Sequence, residues 1–173
     1  MAGHVSTRLV IWQGLGRVPE RRSAGILLWR RAADGSVELL LGHPGGPLFE
    51  RKDHGHWSIP KGELDGDDDW YRVARREFEE ETGHPPPDGP AIDLGEIRQK
   101  GGKLVVAWAL EGDLDPAAAH SNTFPFQWPP RSGRYIEVPE IDRVTWFTPD
   151  EARARIKDTQ IPFIDRLLAA LAG

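Results

Sequence analysis

The strongest structural signal in the chain is the stretch 62–83, which reads GELDGDDDWYRVARREFEEETG. Residues 70–82 contain neither Gly nor Pro and are mostly good helix formers. Apolar residues recur within them at spacings of three and four, and they are Tyr71, Ala74 and Phe78. Gly83 stands where a helix C-cap glycine belongs, and the prolines at 85–87 prevent continuation. The pattern predicts a helix over 70–82 with one face packed on a core.

Three glutamates share another face of this predicted helix, because Glu77, Glu80 and Glu81 stand at positions i, i+3 and i+4. Like charges at this spacing destabilise a helix by about 0.2–0.5 kcal/mol, and the helix dipole disfavours anions near the C-terminal end. A bound cation would reverse both effects. Carboxylate oxygens suit a hard ion, so the face predicts a site for Mg²⁺ or Mn²⁺. The alternative is a solvated acidic face.

The composition excludes several classes of protein. The chain has 173 residues, which favours one domain, and 39% of them are hydrophobic, which is enough for a core. Lys and Arg number 22 against 27 Asp and Glu, so no DNA or RNA polymer is expected as a partner. No apolar run approaches the ~18 residues of a membrane span. Cys is absent, which excludes disulfides and thiolate metal sites. We expect a cytoplasmic protein.

The remaining chain predicts an α+β fold. Residues 1–22 form an N-terminal extension with no clear structural pattern, and residues 23–41 predict a β-hairpin with a turn at Asp34-Gly35. Strands are expected over 92–98, 104–110 and 144–147, and helices are expected to begin near Thr148 and to cover 161–171. Residues 113–134, rich in Pro, Ala and Ser, are expected to form a long loop. This order of elements indicates a layered sandwich.

The spacing of the glycines, acids and arginine in 62–84 resembles the Nudix box. The residues that fit are Gly62, Asp68, Arg76, Glu77, Glu80, Glu81 and Gly83. Two positions depart from the family pattern, since Asp68 replaces the usual Glu and His84 replaces an apolar residue. The chain is therefore similar to the Nudix hydrolase family, and the resemblance implies an α/β/α sandwich with a mixed central sheet over residues 23–173.

The resemblance implies hydrolysis of a nucleoside diphosphate linked to another group. Glu80 and Glu81 would hold the metal, and Glu77 would be a further ligand or the base for water. Arg76 would orient the carboxylates through charge-assisted hydrogen bonds. Gly62 would let its loop pass close to the helix. Such chemistry is consistent with a metal ion that neutralises a pyrophosphate and lowers the pKa of bound water.

A narrower resemblance lies just upstream of the box. Trp57, two residues and then Pro60-Lys61-Gly62 are similar to Nudix enzymes that act on dinucleoside polyphosphates and diphosphoinositol polyphosphates. It implies that Lys61 and Trp57 bind the substrate, with the Lys61 ammonium meeting a phosphate and the Lys61 carbonyl as a further metal ligand. The alternatives are a surface lysine after a strand and an aromatic residue that packs in the core.

Several assignments stay open in the sequence. Glu137 or Glu140 is a candidate for an additional ligand or base, and neither is favoured. The aromatic residues of the long loop are candidates either for stacking on a base or for packing the loop on the core; they are Phe124, Phe126, Trp128 and Tyr135. The leading functional prediction is a metal-dependent hydrolase of nucleoside or dinucleoside polyphosphates. A diphosphoinositol or nucleotide-sugar hydrolase and a non-catalytic nucleotide-binding module are the alternatives, and the oligomeric state is left open.

Overall fold

The computed structural model describes residues 20–66 and 68–173, so most of the predicted N-terminal extension lies outside the described residues. A six-stranded mixed sheet forms its centre. Its strands are β1 (Arg22–Arg31), β2 (Val37–Pro44), β3 (Lys61–Glu63), β4 (Ile92–Arg98), β5 (Leu104–Glu111) and β8 (Ile141–Phe147). The order is β4-β5-β1-β2-β8, and β3 pairs with β1. Only the β1–β5 pair is parallel among these pairs, and the predicted hairpin is the antiparallel pair β1–β2.

Helices cover both faces of the sheet. The helices are α1 (Trp70–Thr82), α2 (Pro149–Arg155) and α3 (Ile161–Ala172). Side chains of β1 alternate between the two faces, as the period of a strand requires. Ile26 packs in the same cluster as Phe78 of α1, whereas Leu27 packs with Phe163 of α3. The predicted sandwich with a mixed sheet is therefore confirmed. None of the helices in the described part of the chain has the length and hydropathy of a membrane-spanning segment.

Helix α1 has the predicted bounds, and local contacts set both of its ends. The Asp69 carboxylate caps the N-terminus by accepting from the backbone N–H groups of Tyr71 and Arg72. Gly83 adopts a φ of 75° and donates its N–H to the Glu79 carbonyl. Glycine adopts this left-handed conformation without a steric penalty, so the helix ends there.

The prediction of a loop over 113–134 is wrong for part of that segment. Residues Thr123–Gln127 form β6, which pairs antiparallel with β7 (Tyr135–Pro139) in a separate two-stranded ribbon. Pro125 lies inside β6, and a proline is tolerated there because each strand of a two-stranded ribbon has a free edge. The Pro and Ser content of the segment favours a loop. The strand in which Phe124 and Phe126 share one face was therefore not predicted.

Candidate active site

Gly62 brings β3 against the acidic face of α1. A Cβ atom at this position would collide with the side-chain carboxylate of Glu77. Only glycine therefore allows the backbone to pass so close to the helix, as the resemblance implied. The effect is to place residues 61–63 directly beside the predicted metal-binding face.

Arg76 contacts two of the three carboxylates on this face. Its guanidinium donates to Glu77 Oε1 at 3.1 Å, and its Nε lies 3.7 Å from Glu80 Oε1. The hydrogen bond to Glu77 raises the pKa of Arg76, and the charges of Glu77 and Glu80 act in the same direction. Arg76 thus holds both carboxylates on the same side of α1, which is the arrangement expected for a residue that orients them.

Glu81 is largely buried and is engaged by the backbone of β3. The Lys61 N–H donates to Glu81 Oε2 at 3.0 Å. Burial raises the pKa of the Glu81 carboxyl, while the charge of Lys61 opposes that shift. Burial likewise lowers the pKa of the Lys61 ammonium, which the charge of Glu81 counteracts. Lys61 is therefore not a freely solvated surface lysine, and a charged Glu81 is unfavourable here without a cation.

The structure distinguishes Glu140 from Glu137. Glu140 lines a small cavity together with Glu81, and burial followed by the charges of Glu77 and Glu80 raises the pKa of its carboxyl. Glu137 instead accepts a hydrogen bond from the Thr123 hydroxyl at 2.9 Å on the exposed ribbon. Only Glu140 is thus brought to the acidic face. In sequence the two residues carry the same signal, an acid shortly before a strand.

Backbone hydrogen bonds connect Glu140 to the end of α1. Its N–H donates to the Asn122 carbonyl at 3.0 Å, and the Asn122 N–H donates to the Glu80 carbonyl at 2.9 Å. The Glu140 carbonyl accepts from Gly45 at 3.1 Å. This chain of contacts satisfies a carbonyl that the last turn of a helix leaves without an intrahelical partner. It also fixes Glu140 relative to the glutamates of α1.

Two other residues that carry the resemblance, Trp57 and Asp68, form no hydrogen bond or ion pair with the acidic face among the described residues. Trp57 is 3% exposed, donates its indole N–H to Asp53 at 2.6 Å, and packs edge-on against Phe147. This is the core position that the sequence left as the alternative, and a buried indole offers little surface to a substrate. Asp68 is exposed, and within the described residues it forms no ion pair with Arg76.

The donor set of this site suits a hard divalent cation. Four carboxylates face the cleft, and their mutual repulsion contributes to the raised pKa of Glu140. Within residues 20–66 and 68–173, no three Asp, Glu or His side chains are arranged, in their present orientations, so that they could hold a metal ion. The reason is visible in the contacts, because Arg76 and the Lys61 N–H engage the carboxylates instead. The ligand chemistry therefore fits such an ion, which would bind only after these side chains rotate.

Two comparisons relate the chain to known proteins. An 8-oxo-(d)GTP phosphatase of Mycolicibacterium smegmatis is 36% identical over 104 residues, which are 55% of this chain and 31% of that protein. The chain thus spans about a third of the length of this curated relative. An Ap4A hydrolase of C. elegans superimposes with a TM-score of 0.59 at 23% identity, covering 88% of this chain and 98% of that one. A mutT/nudix family protein from Listeria innocua gives 0.58 at 19% identity, covering 90% and 96%.

The family comparison agrees with the position of the box on the structure. The NUDIX domain model matches residues 19–167, which include the whole sheet and the glutamate face of α1. The structural neighbours support the fold alone, since their identities are below 25%. The predicted resemblance is confirmed, and the chain belongs to the NUDIX domain family.

Proposed function

We propose that the protein is a metal-dependent Nudix hydrolase that cleaves a phosphoanhydride bond of a nucleoside polyphosphate or dinucleoside polyphosphate. The observation that carries the proposal is the meeting of the α1 glutamates with Arg76, Lys61 and Glu140 in one cleft. The phosphatase relative supports this substrate class, because it is named for a nucleotide that contains phosphoanhydride bonds.

The residues of the cleft have separable roles in this proposal. Glu77, Glu80 and Glu81 hold Mg²⁺ or Mn²⁺, and the bound ion would neutralise the phosphates and lower the pKa of an attacking water. Arg76 keeps two of these carboxylates on one side of the helix. Glu140 faces them from outside the helix and is the candidate to accept the proton of water, with Glu77 as the alternative.

Lys61 contributes a positive charge to the cavity that Glu81 and Glu140 also line. Its ammonium lies near Glu81 without forming an ion pair within the described residues, so it is available for a phosphate group of the substrate. A lysine acts there as a point charge that attracts phosphate without requiring a fixed orientation. In this proposal Lys61 binds a phosphate of the substrate, and the glutamates of α1 bind the metal ion.

A substrate panel with identification of products tests the proposal. The panel contains 8-oxo-dGTP, dGTP, Ap4A, a nucleotide sugar and a diphosphoinositol polyphosphate, each with Mg²⁺, with Mn²⁺ and with excess chelator. We expect hydrolysis of a nucleoside or dinucleoside polyphosphate with metal and none with chelator, since the anionic face requires a cation before it accepts an anionic substrate.

Other outcomes of the panel select the alternatives. Turnover of only the nucleotide sugar or the diphosphoinositol polyphosphate would show that the protein hydrolyses that class of substrate instead. Tight binding of a nucleotide without turnover, under both metals, would indicate a non-catalytic binding module. Full activity in excess chelator would contradict the metal dependence.

A further inference from the structure

A fully buried histidine lies close to the segment that carries Glu140. It is His43 of β2, and each nitrogen of its ring faces an oxygen atom. Nδ1 lies 2.8 Å from Asp142 Oδ1, and Nε2 lies 2.5 Å from the carbonyl oxygen of Lys52. The ring therefore links the start of β8 to the loop 45–56 that follows β2.

Both of these hydrogen bonds form only with the imidazolium form of His43. A neutral imidazole has one donor nitrogen and one acceptor nitrogen, whereas the imidazolium has two donors. A carbonyl oxygen and an ionised carboxylate can only accept, and the Asp142 side chain is 28% exposed, so that water also stabilises its charge. With a neutral ring, one of the two oxygens would face a nitrogen lone pair and lose its hydrogen bond.

The neighbouring cations are more exposed than the His43 ring. Arg143 Nη1 lies 3.9 Å from the same Asp142 carboxylate, and its positive charge opposes protonation of the ring. The Arg143 side chain is 49% exposed, so water screens that charge. The Lys52 ammonium lies over the ring of Phe49, at 5.2 Å from the centroid. The direct hydrogen bonds to a carboxylate and a carbonyl therefore dominate the environment of the buried ring.

Asp142 is the extra residue of a β-bulge in β8. The pairing of β2 with β8 shifts register between His43 and Pro44 and skips Asp142. Ile141 and Val144 consequently pack in the same cluster with the side chains of α1, although they are three positions apart. In a regular strand they would point to opposite faces. The bulge therefore decides which side chains at the start of β8 face α1.

Glu140 lies just before this bulge and is held from the same end of β2. Its carbonyl oxygen accepts from the Gly45 N–H at 3.1 Å. A Cβ atom at Gly45 would collide with the Pro139 carbonyl oxygen, so the two backbones are in close contact there. The residues at the end of β2 thus hold Glu140 through the backbone and Asp142 through the His43 ring.

We propose that His43, as an imidazolium, is a positioning residue that holds the bulge at Asp142 and thereby keeps Glu140 directed at the glutamates of α1. This inference rests on the proposed function, in which Glu140 is the candidate to accept the proton of water. His43 acts through Asp142 and does not touch the reacting groups. Its loss should therefore lower kcat and change KM little.

Nitrogen NMR tests the protonation of the ring directly. In protein labelled with ¹⁵N at histidine, the ring-nitrogen shifts distinguish an imidazolium from either neutral tautomer. We expect two protonated nitrogens at His43 at the pH of the kinetic assays. In Asp142→Asn we expect a proton on Nε2 alone, because the introduced amide can donate to Nδ1 while the Lys52 carbonyl still accepts. A neutral ring in the wild type would overturn the proposal.

Kinetics test the positioning role. His43→Gln and Asp142→Ala should each lower kcat by roughly 10- to 100-fold with KM nearly unchanged, the order of loss that a misplacement of about 1 Å causes. The double variant should lose no more than either single variant, because the two residues act as one unit. Asp142→Asn should retain most of the turnover, because both contacts survive with a neutral ring.

His54→Gln is the matched control for these variants. It removes an imidazole from an exposed position in the loop 45–56, and it should leave kcat unchanged. A normal kcat in both His43→Gln and Asp142→Ala would overturn the positioning role. An increase in KM alone would overturn it as well, because that result would place the effect on substrate binding.

Hydrogen exchange provides a readout that does not depend on turnover. In Asp142→Ala the Gly45 N–H should exchange about tenfold faster, whereas the Ile26 N–H, which donates to the Pro60 carbonyl, should be unaffected. Asp142 is partly exposed, so this variant also serves if His43→Gln does not fold. Unchanged exchange at Gly45 would overturn the proposal. If the wild type hydrolyses none of the panel and Gly45 still depends on Asp142, the hydrolase proposal fails and the link from His43 to the Glu140 segment stands.

Discussion

Helix α1 and the β6–β7 ribbon border the same site, but they are held in opposite ways. Phe78 of α1 is fully buried, and the helix packs along the sheet. The ribbon contacts mainly itself, and it leaves Phe124 38% and Tyr135 66% exposed. The segment that leads into the ribbon contacts the end of the helix, where the Asn122 N–H donates to the Glu80 carbonyl. The helix is therefore anchored in the core, whereas the ribbon presents partly exposed aromatic rings.

The electrostatics of the two regions follow the same division. Four carboxylates lie near the C-terminal half of α1, and the charges of Arg76 and Lys61 partly offset their repulsion. The outer part of the ribbon offers aromatic rings instead, with Phe126 stacked on Trp128 at 6.3 Å between ring centroids. Charge is concentrated on the element that packs on the core, and a well-packed backbone is what the proposed metal site would need. The exposed aromatic rings lie on the ribbon, which packs less on the core.

The largest expected effect is on stability. Phe78→Ala should lower the free energy of unfolding by about 3–5 kcal/mol, since it leaves a cavity under the helix. The ribbon counterpart Phe124→Ala should cost much less, because its ring is already partly in water. Chemical denaturation of both variants checks this difference. Equal losses would show that the ribbon is as much a part of the core as α1 is.

Within α1, a second substitution separates chemistry from folding. Glu81→Gln removes one charge from the metal face and preserves the size of the side chain. We expect turnover with Mg²⁺ to fall by at least ~10²-fold, about 2.7 kcal/mol. Stability in chelator should hold or rise slightly, because a buried charge and a repulsion with Glu77 are removed. Turnover and the melting temperature in chelator are measured on the same preparations.

Glu79→Gln is the matched control for this variant. Glu79 lies on the same helix with an exposed side chain, and it is outside the i, i+3, i+4 set. Its substitution should change neither turnover nor the melting temperature appreciably. A Glu81→Gln protein that melts and turns over like the wild type would remove Glu81 from the site.

Helix α1 and its site could be predicted from sequence because the signals are local. The apolar stripe of Phe78 and its neighbours, the αL glycine at 83 and the spacing of the glutamates all depend on residues close together in the chain. The close approach of Gly62 to the helix was also implied by the resemblance, and the structure identifies Glu77 as the residue it meets. The choice of Glu140 over Glu137 did not follow, because it depends on which of two similar acids a distant turn brings to the helix.

Other features could not be predicted from sequence because they also depend on contacts between distant parts of the chain. Lys157 lines the same cavity as Glu81 and Glu140, but no sequence pattern marks it, because its position depends on long-range hydrogen bonds of the Lys157 backbone to Trp57 and of Gln160 to Ile59. The ribbon was not predicted because its proline and the turn residues around it are typical of a loop. Trp57 lies in the core because the fold supplies Phe147 as a partner from a distant strand.

The smallest expected effect tests the ribbon as a surface for the substrate. If the exposed ring of Phe124 stacks on a nucleobase, Phe124→Ala should raise KM by about tenfold and leave kcat nearly unchanged, since stacking contributes ~1–3 kcal/mol per base. Tyr135→Ala is the control, because β7 places Tyr135 on the opposite face of the ribbon from Phe124 and Phe126. The KM of this control variant should not change.

Steady-state kinetics with the preferred substrate of the panel measure both variants. A normal KM for Phe124→Ala would assign this ring to packing beside the loop of Leu48 and Phe49, and equal increases for both variants would point to a general disturbance of the ribbon.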